Sequence, residues 1–359
     1  MSARTKRISG LLLRWWDEHG RRDLPWQNSP TPYRVWVSEI MLQQTQVATA
    51  EPYFNRFMQS FPDVMTLAAA SEDDVLHHWS GLGYYSRARN LYKAAQTIAG
   101  EHAGNFPDEL DELIALPGIG RSTAGAILSL ACGQRQPVLD GNAKRVLARV
   151  FAVEGWPGST ANLKQLWELA EQCTPKRRVD NYTQAIMDLG ATLCKRSRPL
   201  CSQCPLASYC DAFKQNRVAE IPAPKPRKTR PRRVTTLVMA VNAAGELLLE
   251  KRPPSGIWGG LWSFPELESS DVIADWCTQI FGAPPAEQRT WPDVSHSFSH
   301  FDLDMTPVEV EVASPPGRVM EADGWLWYNT RSPASVGLAA PVAKMLDAFG
   351  EQRQTRSGD

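Results

Sequence analysis

The chain has 359 residues, 43% of them hydrophobic, which suits about two domains with sizeable cores. The formal net charge of zero conceals a division: residues 1–233 carry 31 Lys and Arg against 22 Asp and Glu, whereas residues 234–359 carry 8 against 17. The first part therefore suits an anionic partner, and the second is excluded as a general clamp for one. No run approaches ~18 continuous apolar residues and Leu11-Leu12-Leu13 is followed at once by Arg14-Trp15-Trp16-Asp17, so neither a membrane span nor a signal peptide is expected.

From Ile8 to about Ala212 the apolar residues recur at helical spacing, with Ile8, Leu11, Leu12 and Trp15 on one face and Leu91, Ala94, Ala95 and Ile98 on another. Gly and Pro at Pro62, Gly81, Gly83, Pro107, Gly133, Gly155 and Pro175 cut this region into short helices without any strand-like alternation, so residues 1–220 are expected to form an all-α unit. Within it, Leu116-Pro117-Gly118-Ile119-Gly120-Arg121-Ser122 reads as a helix-hairpin-helix turn. Proline ends the first helix, and Gly118 and Gly120 permit positive φ, so the N–H groups of the next helix face outward where a phosphate can sit. An ordinary tight hairpin shares the same short pattern. Asp140 follows Ser122 by eighteen positions in Val138-Leu139-Asp140-Gly141-Asn142, just before a helix beginning near Gly141; alone it would be an N-cap.

Cys194, Cys201, Cys204 and Cys210 follow a helical stretch over Thr183–Thr192 with the spacing C-x6-C-x2-C-x5-C. Four thiolates so close in sequence can close around zinc or a 4Fe–4S cubane in a reducing compartment, and spacing alone does not separate the two. Lys195, Arg196 and Arg198 make the first loop basic, while Cys132, Cys173 and Cys277 read as ordinary buried thiols. Residues 221–233, Pro-rich and basic, read as an extended linker near phosphate. Beyond it, short β-type runs at Val234–Asn242, Glu246–Glu250, Val294–Phe301 and Pro307–Val312, with helical stretches near Asp271–Phe281 and Pro341–Phe349, indicate an α+β domain over 234–350 and a polar tail over 351–359.

The hairpin paired with Asp140 resembles the helix-hairpin-helix/Gly-Pro-Asp superfamily of DNA base-excision glycosylases. The cysteine spacing matches the 4Fe–4S loop (194–210) of endonuclease III and of adenine-DNA glycosylase. Leu24-Pro25-Trp26, Ser38-Glu39-Ile40-Met41-Leu42-Gln43-Gln44-Thr45, Gly81-Leu82-Gly83-Tyr84-Tyr85 and Leu139-Asp140-Gly141-Asn142 narrow the resemblance to the MutY family of adenine-DNA glycosylases. It runs over essentially the whole chain and is weakest in the last forty residues. It implies a monomeric, cytoplasmic repair hydrolase, nucleoid-associated when bound, that flips adenine from opposite 8-oxoguanine or guanine in double-stranded DNA. Releasing that adenine prevents G:C to T:A mutations. It also implies one 4Fe–4S cluster on the four cysteines, with no redox step in the chemistry.

Such a reaction protonates the departing base and stabilises an oxocarbenium-like sugar, which suits two carboxylates with separated pKa values. Glu39, the only carboxylate between Asp23 and Glu51, lies in a helical run with apolar neighbours that would desolvate it and raise its pKa. By the resemblance Glu39 protonates adenine N7 and directs water, Asp140 stabilises the sugar cation, and Asn142 supports the site. Arg22, Leu24, Trp26 and Gln184 resemble adenine-pocket positions. Gln44 or its neighbour Gln43, with Thr45 adjoining, and Leu82 and Tyr84 resemble residues around the gap left by the flipped base. Strand-cleaving relatives carry a lysine nucleophile where Ser122 stands. Serine forms no Schiff base, so water is the expected nucleophile and the enzyme is chiefly monofunctional, with Lys144 able to trap an opened sugar incidentally.

Residues 234–350 resemble the MutT-like, Nudix-type C-terminal domain of the same family. Gly260 and Glu266 fit the opening of the Nudix box, but Ala274-Asp275-Trp276-Cys277-Thr278-Gln279 replaces its glutamate-rich core, so no nucleotide hydrolysis is expected. Phe298-Ser299-His300 matches the loop that contacts 8-oxoguanine. Two alternatives are a non-catalytic iron–sulfur DNA-binding or sensor protein on the same fold, and an endonuclease III-like glycosylase/lyase; Glu39 with Asp140 disfavours the first and Ser122 the second.

Overall fold

The computed structural model describes residues 2–226, 229–312 and 324–357. These fall into two compact units, one formed by Met1–Ala69 with Asn90–Arg227 and the other by Ala70–Arg89 with Lys228–Asp359. The helices in chain order are α1 (Ala3–His19), α2 (Pro32–Leu42), α3 (Val47–Ser60), α4 (Val64–Ala69), α5 (Glu72–Trp79), α6 (Ser86–Glu101), α7 (Leu110–Ala115), α8 (Arg121–Cys132), α9 (Gly141–Val150), α10 (Thr160–Cys173), α11 (Val179–Thr192), α12 (Asp211–Lys214), α13 (Ile273–Phe281) and α14 (Ala340–Ser357). The strands are β1 (Arg232–Val241), β2 (Leu247–Lys251), β3 (Trp262–Ser263), β4 (Glu266–Leu267), β5 (Gln288–Thr290), β6 (Val294–Ser297), β7 (Asp302–Glu311) and β8 (Trp325–Tyr328). Among the described residues no helix is long and apolar enough to cross a membrane.

The first unit is all-α among its described residues, as the periodicity requires. Its central helix is α11, buried on most sides and packed against α1, α8 and α9. The amphipathic faces close on one another: Ile8 and Leu12 of α1 join Val146 and Leu147 of α9 and Ile186 and Leu189 of α11 in one core. At the α9–α11 crossing a Cβ on Gly190 would stand 2.5 Å from Asn142 Cβ, so only glycine allows the two backbones to meet there. The hairpin between α7 and α8 has Gly118 at φ +76°, where a Cβ would also collide with Asn90.

The second unit carries an eight-stranded sheet among the described residues, ordered β3-β2-β1-β7-β5, with β4 on β1, β6 on β7 and β8 on β2. The β1–β7 pair is parallel, from Arg232↔Asp302 to Val241↔Glu311. One face of these strands (Val238, Ala240, Val308, Val310) packs on Ile273, Cys277 and Phe281 of α13; the opposite face (Leu237, Met239, Val241) is equally buried. β7 begins at Asp302, earlier than the expected Pro307, because it pairs with β6 through a tight turn over residues 298–301.

Three expected boundaries differ. Residues 70–89 group with the second unit rather than with the rest of 1–220: Lys251 bonds Asp73 (2.9 Å), Arg89 donates to Gly259 O, and Tyr85 Oη donates to Leu338 O (3.2 Å). The linker is shorter than 221–233, since Ile221 is buried in the first core, its carbonyl accepts from Arg149, and β1 already starts at Arg232; residues 227 and 228 lie outside the described residues. The expected tail over 351–359 continues α14 as far as Ser357. One thiol differs too: Cys132, at the end of α8, is exposed, while Cys173 and Cys277 are buried.

The Gly190 contact generates a test. Gly190→Ala should lower stability by about 1–3 kcal/mol, the cost of overpacking a filled contact, read as a lower midpoint of thermal unfolding. An unchanged midpoint would show that α9 and α11 can part without loss.

Candidate active site

Helix α2 starts at Thr31, whose hydroxyl accepts from Arg34 N (3.2 Å), with Pro32 in its first turn. Tyr33, Val35, Trp36, Val37, Ile40 and Met41 are buried, so the helix is covered on nearly every side. Glu39 is the carboxyl on this apolar rod. Desolvation, and then the negative charge of Asp140, push its pKa up to about 8. It therefore holds a proton at neutral pH and can give it away.

Asp140 is the N-cap of α9. One oxygen accepts from Ala143 N (2.7 Å) and the other from Asn142 Nδ2 (3.1 Å), which spends the carboxylate's charge at the positive end of a helix. Ser122, early in α8, fixes the approach to this cap by accepting from Leu139 N (3.1 Å). Arg145 donates to Asn142 Oδ1 (2.9 Å), Gly190 O (2.7 Å) and Cys194 O (2.6 Å), tying the cap to α11 and the cysteine loop.

Glu39 and Asp140 face one open cleft of 1310 Å³. Arg22, Leu24, Trp26, Gln43, Gln44, Thr45, Ser122, Asn142 and Gln184 line it as well. Trp26 is buried and meets Phe54 edge-on at 5.5 Å, yet it walls the cleft. Its turn is held by Arg34, which donates to Pro25 O (2.7 Å) and lies over Phe54. Arg22 is exposed and stacks on Trp16 (4.8 Å). Gln44 has φ +59°, a left-handed conformation immediately after α2. Gly118 and Gly120 are exposed at the hairpin and lie outside the cleft lining. Gly120 caps α8 without a side-chain hydrogen bond, so among the described residues no capping side chain occupies this positive helix end.

The remaining expected residues stand in the second unit. Leu82 is buried, whereas Tyr84 is half exposed at φ +50° and stacked by Arg87 (5.7 Å). Phe298, Ser299 and His300 form the turn between β6 and β7, closed by Phe298 N donating to Phe301 O (2.9 Å). Phe298 packs against His296 (4.6 Å) and Trp258 (5.4 Å), which leaves Ser299 and His300 exposed at the tip.

The four cysteines of 194–210 line a small apolar cavity beside α9. Arg149 donates to Cys194 Sγ (3.3 Å) and to the carbonyls of Lys195 (2.7 Å) and Arg196 (3.2 Å), so the basic loop is pinned by a buried guanidinium. Burial raises the Cys201 and Cys210 thiols and pushes Cys204 up to about 12, with the neighbouring sulfurs adding. Among the described residues no three His, Cys, Asp or Glu side chains converge on a single-ion site.

Sequence reasoning missed Arg21, Arg145, Arg149 and Asp188, which hold the site from behind. Only Asp188 left a trace, as the single charged residue between Asp180 and Lys195 in a helical stretch. The arginines sit on ordinary helix or loop sequence and acquire partners only through tertiary contact.

Residues 37–172 match the family model of the HhH-GPD superfamily base excision DNA repair proteins, and residues 236–348 match a NUDIX domain. The chain is 39% identical to "Adenine DNA glycosylase" of Buchnera aphidicola subsp. Acyrthosiphon pisum, over 95% of this chain and 97% of that one. It is 35% identical to the Homo sapiens protein of the same name, over 92% of this chain and 72% of that one. Among solved structures, a thermostable thymine-DNA glycosylase is similar at a TM-score of 0.53 and 26% identity, covering 59% of this chain and 97% of its own. An endonuclease III in non-covalent complex with DNA shares the fold at a TM-score of 0.51 and 20% identity, covering 60% of this chain and 99% of its own.

The raised Glu39 pKa fixes the sign of a stability test. Below about pH 4.5 both folded and unfolded chains hold the proton; above it the unfolded chain releases it while the folded chain keeps it, so stability is lost as pH rises toward about 8. Glu39→Gln should therefore be more stable than the parent. The gain should be near zero at pH 4.5 and grow to roughly 2–4 kcal/mol at pH 8, as read from denaturant midpoints. A variant no more stable at pH 8 than at pH 4.5, relative to the parent, would mean that Glu39 is not desolvated.

Proposed function

Because this chain belongs to the adenine DNA glycosylase family, a family of hydrolases that cleave the N-glycosyl bond of adenine in DNA, we propose that its cleft does this chemistry with Glu39 and Asp140 as the reacting carboxylates. The observation that carries the proposal is the split environment of the two. Glu39 holds a proton on an apolar helix, while Asp140 is a helix cap whose oxygens accept hydrogen bonds.

In the proposed sequence Glu39 gives its proton to N7 of a flipped adenine. The C1′–N9 bond breaks with its electron pair going to the base, which leaves neutral. The cationic sugar forms against the Asp140 carboxylate, whose position Asn142 maintains. Water adds to C1′ and returns a proton to Glu39. Ser122 offers no amine for a Schiff base, so water is the nucleophile and the enzyme is chiefly monofunctional. Arg22, Leu24, Trp26 and Gln184 would hold the base, and Gln43 or Gln44, Thr45, Leu82 and Tyr84 would brace the opened stack. The hairpin at Gly118 and Gly120 would take a backbone phosphate at the start of α8. Extrusion costs a few kcal/mol and least at a mispair, which favours A opposite 8-oxoguanine or G in duplex DNA.

Cys194, Cys201, Cys204 and Cys210 would hold one 4Fe–4S cluster. Four soft sulfur donors around a common cavity suit that group, and burial raises the thiols of Cys201, Cys204 and Cys210, which a bound cation would keep ionised. When bound, it would cross-link the loop and supply no acid, base or nucleophile. The exposed Ser299 and His300 would read the N7 and O8 edge of 8-oxoguanine opposite the target. A monomer, cytoplasmic and nucleoid-associated when bound to DNA, completes the proposal.

Glu39→Gln and Asp140→Asn should each slow single-turnover adenine release by roughly 10²–10⁴-fold while duplex binding survives. Parent activity should fall as pH rises through about 8, where Glu39 loses its proton. Near-parental rates in either variant would remove that residue from the chemistry. Ser299→Ala should lose about 1–3 kcal/mol on 8-oxoguanine:A duplexes and nothing on G:A at the same salt; equal losses on both would make the turn a source of general affinity. Anaerobically purified protein should contain about four iron atoms per chain, as one cubane requires, and stoichiometric zinc would overturn the cluster.

A further inference from the structure

Asp188 has no part in the chemistry proposed above, yet it is fully buried behind the cleft and accepts five N–H hydrogen bonds. Oδ1 receives Gln184 Nε2 (2.9 Å) and Arg21 Nε (2.8 Å) and Nη2 (2.6 Å); Oδ2 receives Arg21 N (3.0 Å) and Trp16 Nε1 (3.3 Å). Every neighbour donates, so both oxygens act purely as acceptors. That settles the one choice an amide side chain has. A glutamine can point either its oxygen or its nitrogen at a partner, but opposite a carboxylate only the NH₂ is tolerated. Gln184 sits one helical turn before Asp188 on α11, lines the cleft, and its carbonyl oxygen accepts no hydrogen bond among the described residues. The carbonyl is the end left for a ligand.

We propose that Asp188 is a positioning residue that sets the hydrogen-bond polarity of the base pocket. By holding the Gln184 NH₂, it presents Gln184 Oε1 as an acceptor for the exocyclic amine of adenine and opposes purines that carry an oxygen at C6. The proposal rests on the reading of Gln184 as a pocket residue. A 6-oxo purine would set carbonyl against carbonyl, and Gln184 cannot turn to relieve it without facing its own oxygen toward Asp188. The same carboxylate anchors the backbone and guanidinium of Arg21, at the start of the segment that carries Arg22 and Leu24 to the cleft. One buried side chain thus orders two walls of the pocket.

The test is single-turnover release of adenine and of hypoxanthine, each opposite guanine, by the full chain and by Asp188→Asn, Gln184→Leu and the double variant. Asparagine can face Gln184 with either end, so Asp188→Asn should lower the adenine-to-hypoxanthine rate ratio by about tenfold, the worth of one hydrogen bond at ~1.4 kcal/mol. Gln184→Leu should lower it to a similar extent, and the double variant should lower it no further. Asp188→Asn slowing both bases equally, with the ratio intact, would make Asp188 a fold residue only and overturn the proposal. Gln184→Leu lowering the ratio while Asp188→Asn leaves it unchanged would overturn the positioning role and keep the pocket. A ratio untouched by Gln184→Leu would remove Gln184 from the pocket altogether. If Asp188→Asn leaves Arg21 unpaired and the protein does not fold, Arg21→Met combined with Asp188→Asn removes both charges and carries the same comparison.

Discussion

The N-cap of α9 is the constraint from which the rest of the cleft follows. A helix start leaves backbone N–H groups without partners, and Asp140 meets this need at Ala143 N while keeping its second oxygen on Asn142. The cap is fixed from two directions. Ser122 holds the backbone leading into it, and Gly190 lets α11 approach until Asn142 has no room to move. Arg145 then joins Asn142 to Gly190 and Cys194. A carboxylate held this way keeps its place, as a group facing a developing cation must.

Glu39 illustrates the opposite economy. Burying a carboxyl on α2 works against folding at neutral pH, and the neighbouring charge of Asp140 adds to the strain on its ionised form. The fold tolerates this because α2 is otherwise apolar on nearly every side, with Trp36 and Met41 almost wholly covered. The helix is stable enough to carry one unfavourable group, and the group is useful because it is unfavourable there. Two carboxyls of one cleft thus stand in different surroundings, Glu39 desolvated on an apolar helix and Asp140 bonded to N–H groups at a helix start.

The second unit is organised around a sheet covered on both faces, and its functional candidates sit where the sheet ends. The β6–β7 turn lifts Ser299 and His300 out while Phe298 is anchored by Trp258 and His296. Rigid aromatic support under a small polar tip favours a contact that depends on geometry over one that depends on charge, which agrees with the acidic balance of this part of the chain. Residues 70–89 belong with this unit through specific polar contacts to Gly259, Lys251 and Leu338, none of which local composition announces.

Much of the molecule was legible before any coordinates. Helical periodicity, Gly and Pro punctuation, the Leu116–Ser122 hairpin, the Asp140 cap and the paired patterns at β1, β2 and α13 are local signals, because capping, turns and amphipathic burial depend on residues a few positions apart. The cysteine spacing was legible for the same reason, while Glu39 and Asp140 stood out as a reacting pair only through the family resemblance. What the sequence could not display were relations between distant segments: the pairing of Asp188 with Arg21, the guanidinium of Arg149 under the cysteine loop, and the allegiance of 70–89 to a sheet begun more than a hundred residues later. The sequence by itself determined the types of element and the residues able to do chemistry. Only the tertiary structure decided which of those residues share a cleft and in what protonation state and orientation, because burial, charge proximity and hydrogen-bond partners exist only once the chain has closed on itself.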